Sequence, residues 1–127
     1  MSVATTRGIR VSAEPTYLAD RSDPRRGQFL FAYTITITNL GEETVQLVAR
    51  EWVITDADGD VETVAGPGVV GQQPVLRPGA SHRYTSYCPL ATPVGTMQGR
   101  YAMRTETGET FHAEIAPFTL TVPHAVN

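Results

Sequence analysis

The sequence predicts an all-β protein, an antiparallel β-sandwich of seven or eight strands, from three observations. Apolar and polar residues alternate in several segments, which is the period of a strand with one buried face. Turn residues recur between these segments, for example at Asp58-Gly59, Pro78-Gly79 and Gly108, at the short spacing typical of sandwiches. No window of ten or more residues shows a helical period free of Gly and Pro, so helices are at most short.

The clearest strand is QFLFAYTITITN. One side carries Phe29, Phe31, Tyr33, Ile35 and Ile37, and the other carries three threonines at 34, 36 and 38. The next segment, VQLVAREWVITD, predicts a second strand with Val48, Trp52 and Ile54 on one face. Turn residues 39–43 (NLGEE) separate the two segments. We therefore expect an antiparallel hairpin between them.

Three further segments, SHRYTSY, GTMQGRYAMRT and GETFHAEIAPFTLTV, predict the later strands. In the last one, apolar residues fall on odd positions up to Ile115 and on even positions from Phe118. This change of parity at Ala116-Pro117 predicts a β-bulge. The expected core comprises Phe31, Tyr33, Ile35, Trp52, Ile54, Tyr101 and Phe118.

Length and composition predict one domain over residues 1–127, with an ordered core at about 8–123. The net charge of −3 argues against nucleic-acid binding, and all ten basic residues are arginine, which excludes chemistry that depends on lysine. No apolar run is long enough to insert in a membrane, and the start lacks a secretion signal. The single cysteine, Cys88, cannot form an intrachain disulfide, so we expect a cytoplasmic protein.

Leu76-Arg77-Pro78-Gly79 resembles the Leu-x-Pro-Gly turn that leads into a strand in many immunoglobulin-like and fibronectin type III modules. The paired cysteines of antibody domains are absent. We therefore expect an immunoglobulin-like sandwich of the fibronectin type III variety.

A glycine-rich segment is the leading candidate for a binding loop; it consists of Gly66, Pro67, Gly68, Val69, Val70 and Gly71. It matches G-x-G-x-x-G, but a nucleotide-binding fingerprint needs a helix directly after the glycines. Gln72-Gln73-Pro74 follows instead, so the sequence argues against nucleotide binding. Two readings remain: a surface loop whose glycines allow positive φ, or a protein-contact loop with Val69 and Val70 exposed at its tip.

Four carboxylates, Asp56, Asp58, Asp60 and Glu62, crowd one short stretch that could attract a divalent cation. Their spacing does not fit an EF-hand, and Asp-Gly between β-branched strands favours a hairpin turn. The histidines, His82, His112 and His124, lie far apart, and Cys88 sits in no catalytic signature. We therefore expect no enzyme activity, no cofactor and no metal centre among the site residues.

The chain resembles the bacterial ApaG family in the segments NLGEETVQLVAREWVITDADG, GPGVVGQQPVLRPG, YTSYCPLATPVGTMQGRY and GETFHAEIAPFTL. The resemblance runs from about Val11 to Pro123. It implies a fibronectin type III-like sandwich and a link, by phenotype, to cobalt resistance and magnesium efflux. The same domain is found in eukaryotic F-box and polymerase-δ-interacting proteins, which implies protein binding.

Three functional hypotheses follow. The first is a non-enzymatic interaction module that presents the loop of residues 66–71 to an unidentified protein partner. The alternative is a soluble divalent-cation-binding protein that uses the acidic turn. The third, a nucleotide-binding protein or small hydrolase, has the least support from the residues.

Overall fold

The computed structural model describes residues 1–123, in which two antiparallel sheets pack face to face. This confirms the predicted all-β sandwich. The described chain has nine strands, where the sequence predicted seven or eight. They are β1 (Ser2–Thr6), β2 (Ile9–Tyr17), β3 (Phe29–Asn39), β4 (Val45–Asp56), β5 (Val61–Pro67), the two-residue β6 (Val75–Leu76), β7 (Ser81–Leu90), β8 (Val94–Thr105) and β9 (Thr110–Thr121).

The strand order determines which edges are open. The first sheet has the order β1-β2-β3-β7, and the second has the order β5-β4-β8-β9 with β6 also paired to β4. Two 3₁₀ turns, Ala19–Arg21 and Pro24–Arg26, connect β2 to β3. β1 precedes residue 8, where the predicted core begins, so the sandwich starts earlier than the sequence indicated. Within residues 1–123, no helix has the length and apolar character to cross a membrane.

The predicted hairpin between β3 and β4 does not form, because the two strands belong to different sheets. Buried Asn39 lies at the end of β3, where the chain leaves the first sheet. Its amide nitrogen Nδ2 donates to the carbonyls of Leu76 (2.9 Å) and Glu43 (2.7 Å), and its backbone bonds Gly79 and Ala80. These bonds fix the end of β3 to the β6–β7 connection. Since β2 and β7 pair with the two edges of β3, no edge is left for β4.

Two β-bulges shift the alternation of buried residues. The predicted bulge at Ala116-Pro117 is confirmed, since the ladder between β8 and β9 shifts there, and Phe118 and Leu120 stay buried beyond it. A second bulge lies between Leu47 and Ala49 of β4. Val48 is therefore the extra residue of a bulge rather than a member of the Trp52 face.

The core centres on Trp52, the single tryptophan, which is 2% exposed. Its ring lies 5.3 Å from that of Tyr33, 6.0 Å from Phe118 and 6.4 Å from Tyr101, in edge-on arrangements that aromatic pairs favour. The predicted core is confirmed, except that Ile54 is only partly buried at its margin.

Candidate functional site: the glycine loop and the lateral cleft

The glycine-rich loop contains a two-residue hairpin turn. Val69 and Gln72 exchange backbone hydrogen bonds of 2.8 and 3.0 Å. The two residues between them have positive φ, 46° at Val70 and 76° at Gly71, as a type I′ turn requires. Glycine accepts this conformation, whereas a β-branched residue at positive φ is an outlier. Val70 therefore holds a conformation that its own side chain opposes.

Gly68 is required for two separate reasons. Its φ is +59°, and a Cβ there would lie 2.3 Å from the carbonyl oxygen of Gln72. Gly66 has a different role, since a Cβ would lie 3.1 Å from the guanidinium nitrogens of Arg50. The backbone at Gly66 is thus the surface on which the Arg50 side chain lies.

The expectation that Val69 and Val70 are both exposed is wrong for Val69, which is a core residue at 1% exposure. Val70 is 63% exposed. Val69 is the last residue before the turn and Val70 is its first central residue, so the two neighbours point to opposite environments. Val69 anchors the loop in the core, and Val70 alone forms its apolar tip.

Backbone hydrogen bonds within the loop bear on the nucleotide question. The amides of Val69 and Gln72 bond across the turn, and that of Gly68 donates to the Val48 carbonyl at 2.8 Å. The bulge at Val48 turns this carbonyl toward the loop, where Gln73 Nε2 also donates to it at 2.9 Å. These amides therefore already have protein partners and are not free to bind a phosphate. A strand, β6, follows the loop, where a nucleotide-binding fingerprint needs a helix.

Arg50 on β4 connects the loop to the strands beneath it. Its Nη1 donates to the carbonyls of Pro67 (2.9 Å) and Gly68 (3.1 Å). Of the ten arginines, all within the described residues, Arg50 alone is partly buried. Among the residues that the structure describes, Arg50 forms no ion pair, unlike Arg7, Arg26 and Arg100. The sequence signal for Arg50 was its parity, because it shares the inward positions of β4 with Trp52.

A cleft of about 210 Å³ opens between the sheets on the side where β5 and β7 form the edges. We call it the lateral cleft; the residues that line it include Tyr33, Arg50, Trp52, Glu62, Ser86 and Cys88. Sequence reasoning did not find it, because its walls come from five strands that are distant in the chain.

Burial sets the protonation of the groups around the lateral cleft. It raises the pKa of Cys88 to about 11, and nearby Glu62 adds to that shift. It also raises the pKa of Tyr33, Tyr84 and Tyr101 above the ordinary tyrosine value, while Arg50 acts in the opposite direction. The Cys88 thiol is therefore protonated at neutral pH, which is the opposite of what a nucleophile needs.

The structure brings three of the four predicted acidic residues together. Carboxylate oxygens of Asp56, Asp58 and Asp60 lie within 4.8 Å of one another. Asp56 Oδ1 accepts the amides of Asp58 (2.9 Å) and Asp60 (3.0 Å), so the convergence is part of the hairpin turn. Glu62 is not in this group; it lines the lateral cleft and also, with Asp56 and Asp60, a second cleft of about 190 Å³.

The histidines do not come together where the structure describes them. His82 is half-buried on β7, His112 is exposed on β9, and His124 lies outside the described residues. Tyr87 is 54% exposed at the rim of the lateral cleft.

Fold and site together define a small β-sandwich protein with a glycine-rich hairpin loop held by a strand arginine. The ApaG domain model matches residues 19–105. The chain is 57% identical to protein ApaG of Azorhizobium caulinodans, over 95% of this chain and 93% of that protein. It is 52% identical to protein ApaG of Anaeromyxobacter dehalogenans strain 2CP-1 over the whole of both chains. This chain belongs to the ApaG family, which confirms the resemblance in its sequence.

A solved structure agrees with this assignment. The crystal structure of a Bordetella pertussis protein named ApaA superposes on this chain with a TM-score of 0.90 at 48% identity. The match covers 92% of this chain and 95% of that protein. The two proteins therefore share the sandwich fold over nearly the whole of both chains.

Proposed function

We propose that this chain is a non-enzymatic interaction module that presents its glycine loop, residues 66–71, to a protein partner. The observation that carries this proposal is Val70, a β-branched residue that is 63% exposed with a φ of 46°. Type I′ turns favour Asn, Asp or Gly at this position. A valine there costs stability and exposes apolar surface, which a purely structural turn does not need.

The rest of the loop supports a rigid contact surface. Val69 is buried in the core, and Arg50 holds the carbonyls of Pro67 and Gly68. A loop fixed in its bound shape loses little conformational entropy when a partner docks. We expect a partner with an apolar pocket for the Val70 side chain. Polar groups at the rim of that pocket would hydrogen-bond to the exposed backbone of the loop. The proposed location is the cytoplasm, and a link to cobalt resistance and magnesium efflux would run through this partner.

The test uses Val70→Asn, which creates the preferred Asn-Gly pair of a type I′ turn. We expect this variant to be more stable than the parent by about 1 kcal/mol and to lose the partner in a pull-down from the native host. The matched control is Val75→Asn, because Val75 is 58% exposed on the neighbouring β6. Recovery of the same partner by Val70→Asn would show that the interface lies elsewhere.

A second candidate function is divalent-cation binding at the acidic turn. The observation that favours it is the convergence of Asp56, Asp58 and Asp60. Hard cations prefer six or more oxygen ligands, and Asp56 Oδ1 already accepts two amides. Amide NMR with Mg²⁺ and Co²⁺ tests it, with Asp58→Asn as the variant and Glu114→Gln on β9 as the control. Saturation at low micromolar metal would favour this function over the first.

A further inference from the structure

The lateral cleft contains a guanidinium that is fixed in place but has no acidic partner. Both loop contacts of Arg50 use Nη1, which leaves Nη2 and Nε to donate to another group. Within residues 1–123, no carboxylate lies within ion-pair distance of it. The planar guanidinium matches a carboxylate with two parallel hydrogen bonds. Arg50 is therefore ready to receive an oxyanion.

Other donors lie in the walls of the lateral cleft. The hydroxyl-bearing residues Tyr33 and Ser86 are directly paired across β3 and β7. The Trp52 ring forms part of the same wall, but its indole N–H is closed off from solvent and has no hydrogen-bond partner among the described residues. The hydroxyls of Tyr33 and Ser86 favour a ligand that brings hydrogen-bond acceptors.

The charges along the lateral cleft limit the charge of that ligand. Glu62 pairs with Ile54, which lies four residues from Arg50 on β4, a separation of about 13 Å along a strand. Ile54, Val64 and Met97 supply the apolar surface between these ends. The guanidinium attracts one carboxylate, whereas the Glu62 carboxylate repels a second. A small ligand with one carboxylate and a compact apolar body fits this arrangement.

A larger cleft, about 490 Å³, lies on the outer face of the second sheet near Ala116 and Pro117. Its cation, Arg100, already has a carboxylate partner, since Nε lies 3.3 Å from Glu51 Oε2. This cleft therefore has no comparable donor for an anionic ligand.

We propose that the lateral cleft binds a small monocarboxylate with a compact apolar body, whose oxygens accept from the Arg50 guanidinium. The body lies over Ile54, Val64 and Met97. Two sources share this chemistry: a free carboxylic acid, and the apolar C-terminal residue of a peptide. The proposal goes beyond the partner loop, because it concerns the interior side of Arg50 and does not involve Val70.

The first experiment compares 3-methylbutanoate with 3-methylbutanamide, which has nearly the same shape without the charge. Trp52 is the single tryptophan, so one indole signal in the NMR spectrum and the intrinsic fluorescence both report on the cleft. We expect the acid to shift the indole signal saturably, and the amide to shift it at least tenfold less. Equal responses, or no response to the acid at ~10 mM, where even millimolar binders saturate, would overturn the proposal.

Variants locate the site. Arg50→Gln should weaken acid binding at least tenfold, and Arg50→Lys should recover part of it, because it retains the charge without the planar fork. Arg104→Gln is the control, since Arg104 is exposed on β8. Unchanged binding in Arg50→Gln contradicts the proposal. Val70→Asn should bind the acid normally, so a failure of the partner loop and a failure of the acid site are distinguishable.

Peptides distinguish the two sources of the carboxylate, a free acid and a protein C-terminus. Acetyl-Gly-Gly-Leu with a free carboxylate is compared with the same peptide ending in an amide. Tighter binding of the free peptide than of 3-methylbutanoate assigns the cleft to a protein C-terminus. Binding of 3-methylbutanoate alone assigns it to a free acid. Equal binding of the peptide acid and the peptide amide contradicts a carboxylate site.

Discussion

The two lateral sides of the sandwich close in different ways. On one side β1 lies close to β9, where Ser2 Oγ donates to the Ala116 carbonyl (2.8 Å) and Thr6 Oγ1 accepts the Glu114 amide (3.1 Å). On the other side β5 and β7 leave the lateral cleft, with Arg50 and Glu62 in its walls.

This difference shows how short and long polar side chains act where two packed sheets meet at their sides. A serine or threonine hydroxyl reaches only the neighbouring strand, so it joins the two edges directly and satisfies backbone groups there. The side chains of Arg50 and Glu62 are long and charged, and a close approach of the edges would remove them from water. The open side therefore keeps a cleft, and the candidate site lies there.

The largest effect is expected for Trp52→Ala, which removes the ring shared by the core and the lateral cleft. Truncation of a buried aromatic residue costs about 3–5 kcal/mol, a large share of the stability of a domain this size. Chemical denaturation measures it. Tyr87→Ala, at the exposed rim of the same cleft, is the control and should change stability by less than about 0.5 kcal/mol. Similar losses in both variants would contradict the placement of Trp52 in the core.

The next largest effect distinguishes two glycines of the loop on the open side. Gly71 and Gly68 both have positive φ, but only at Gly68 would a Cβ meet backbone, at 2.3 Å from the Gln72 oxygen. Gly71→Ala should cost about 1–2 kcal/mol from conformation alone. Gly68→Ala should cost clearly more, because the turn must also open. Equal losses of unfolding free energy in Gly68→Ala and Gly71→Ala would show that the loop accommodates the Cβ at residue 68 without further cost.

Alkaline pH should lower the free energy of unfolding through Cys88, which lies in the wall of the lateral cleft. Its folded pKa is about 11, against 9.0 for an ordinary thiol, so the unfolded chain loses this proton first as pH rises. The stabilisation is full below pH 9 and is lost as pH rises toward 11. The raised pKa values of Tyr33, Tyr84 and Tyr101 act with the same sign at higher pH.

Urea midpoints at a series of pH values between 8 and 11 measure this loss. Cys88→Ala should lower stability below pH 9 and give a shallower decline above pH 9, because it lacks the thiol that ionises. A decline of the same slope in both proteins would assign the alkaline sensitivity to the tyrosines alone.

The smallest effect is expected on the closed side. Thr6→Val removes the acceptor of the Glu114 amide and should cost about 0.5–1.5 kcal/mol. Thr5→Val is the control, since Thr5 is exposed on the same strand. Hydrogen exchange at Glu114 provides a local measurement. Unchanged exchange in Thr6→Val would show that β1 does not seal this side.

Much of the sandwich could be predicted from alternation, because a strand with one buried face places its apolar residues at every second position. The bulge at Ala116-Pro117 could be predicted too, since the phase of the apolar residues changes there. The bulge at Val48 could not, because β-branched residues occupy both phases of that segment and hide the shift. The predicted hairpin between β3 and β4 failed for a related reason: a turn sequence reverses the chain but does not specify the sheet of the next strand.

The candidate site, like the fold, could be predicted from the sequence only in part. The loop was visible in the sequence because Gly66, Gly68 and Gly71 mark backbone that other residues cannot form or cover. Its orientation was not visible, since a turn of two residues sends Val69 into the core and Val70 to solvent although both are valine.

The sequence by itself determined the class of fold, the family, the aromatic core and the position of the glycine loop. These depend on local periodicity and on residue types within short segments. Only the tertiary structure decided which strands share a sheet, which side of the sandwich stays open and what Arg50 contacts. Those outcomes depend on groups far apart in the chain, such as Tyr33, Arg50 and Ser86, which become neighbours only when the two sheets pack.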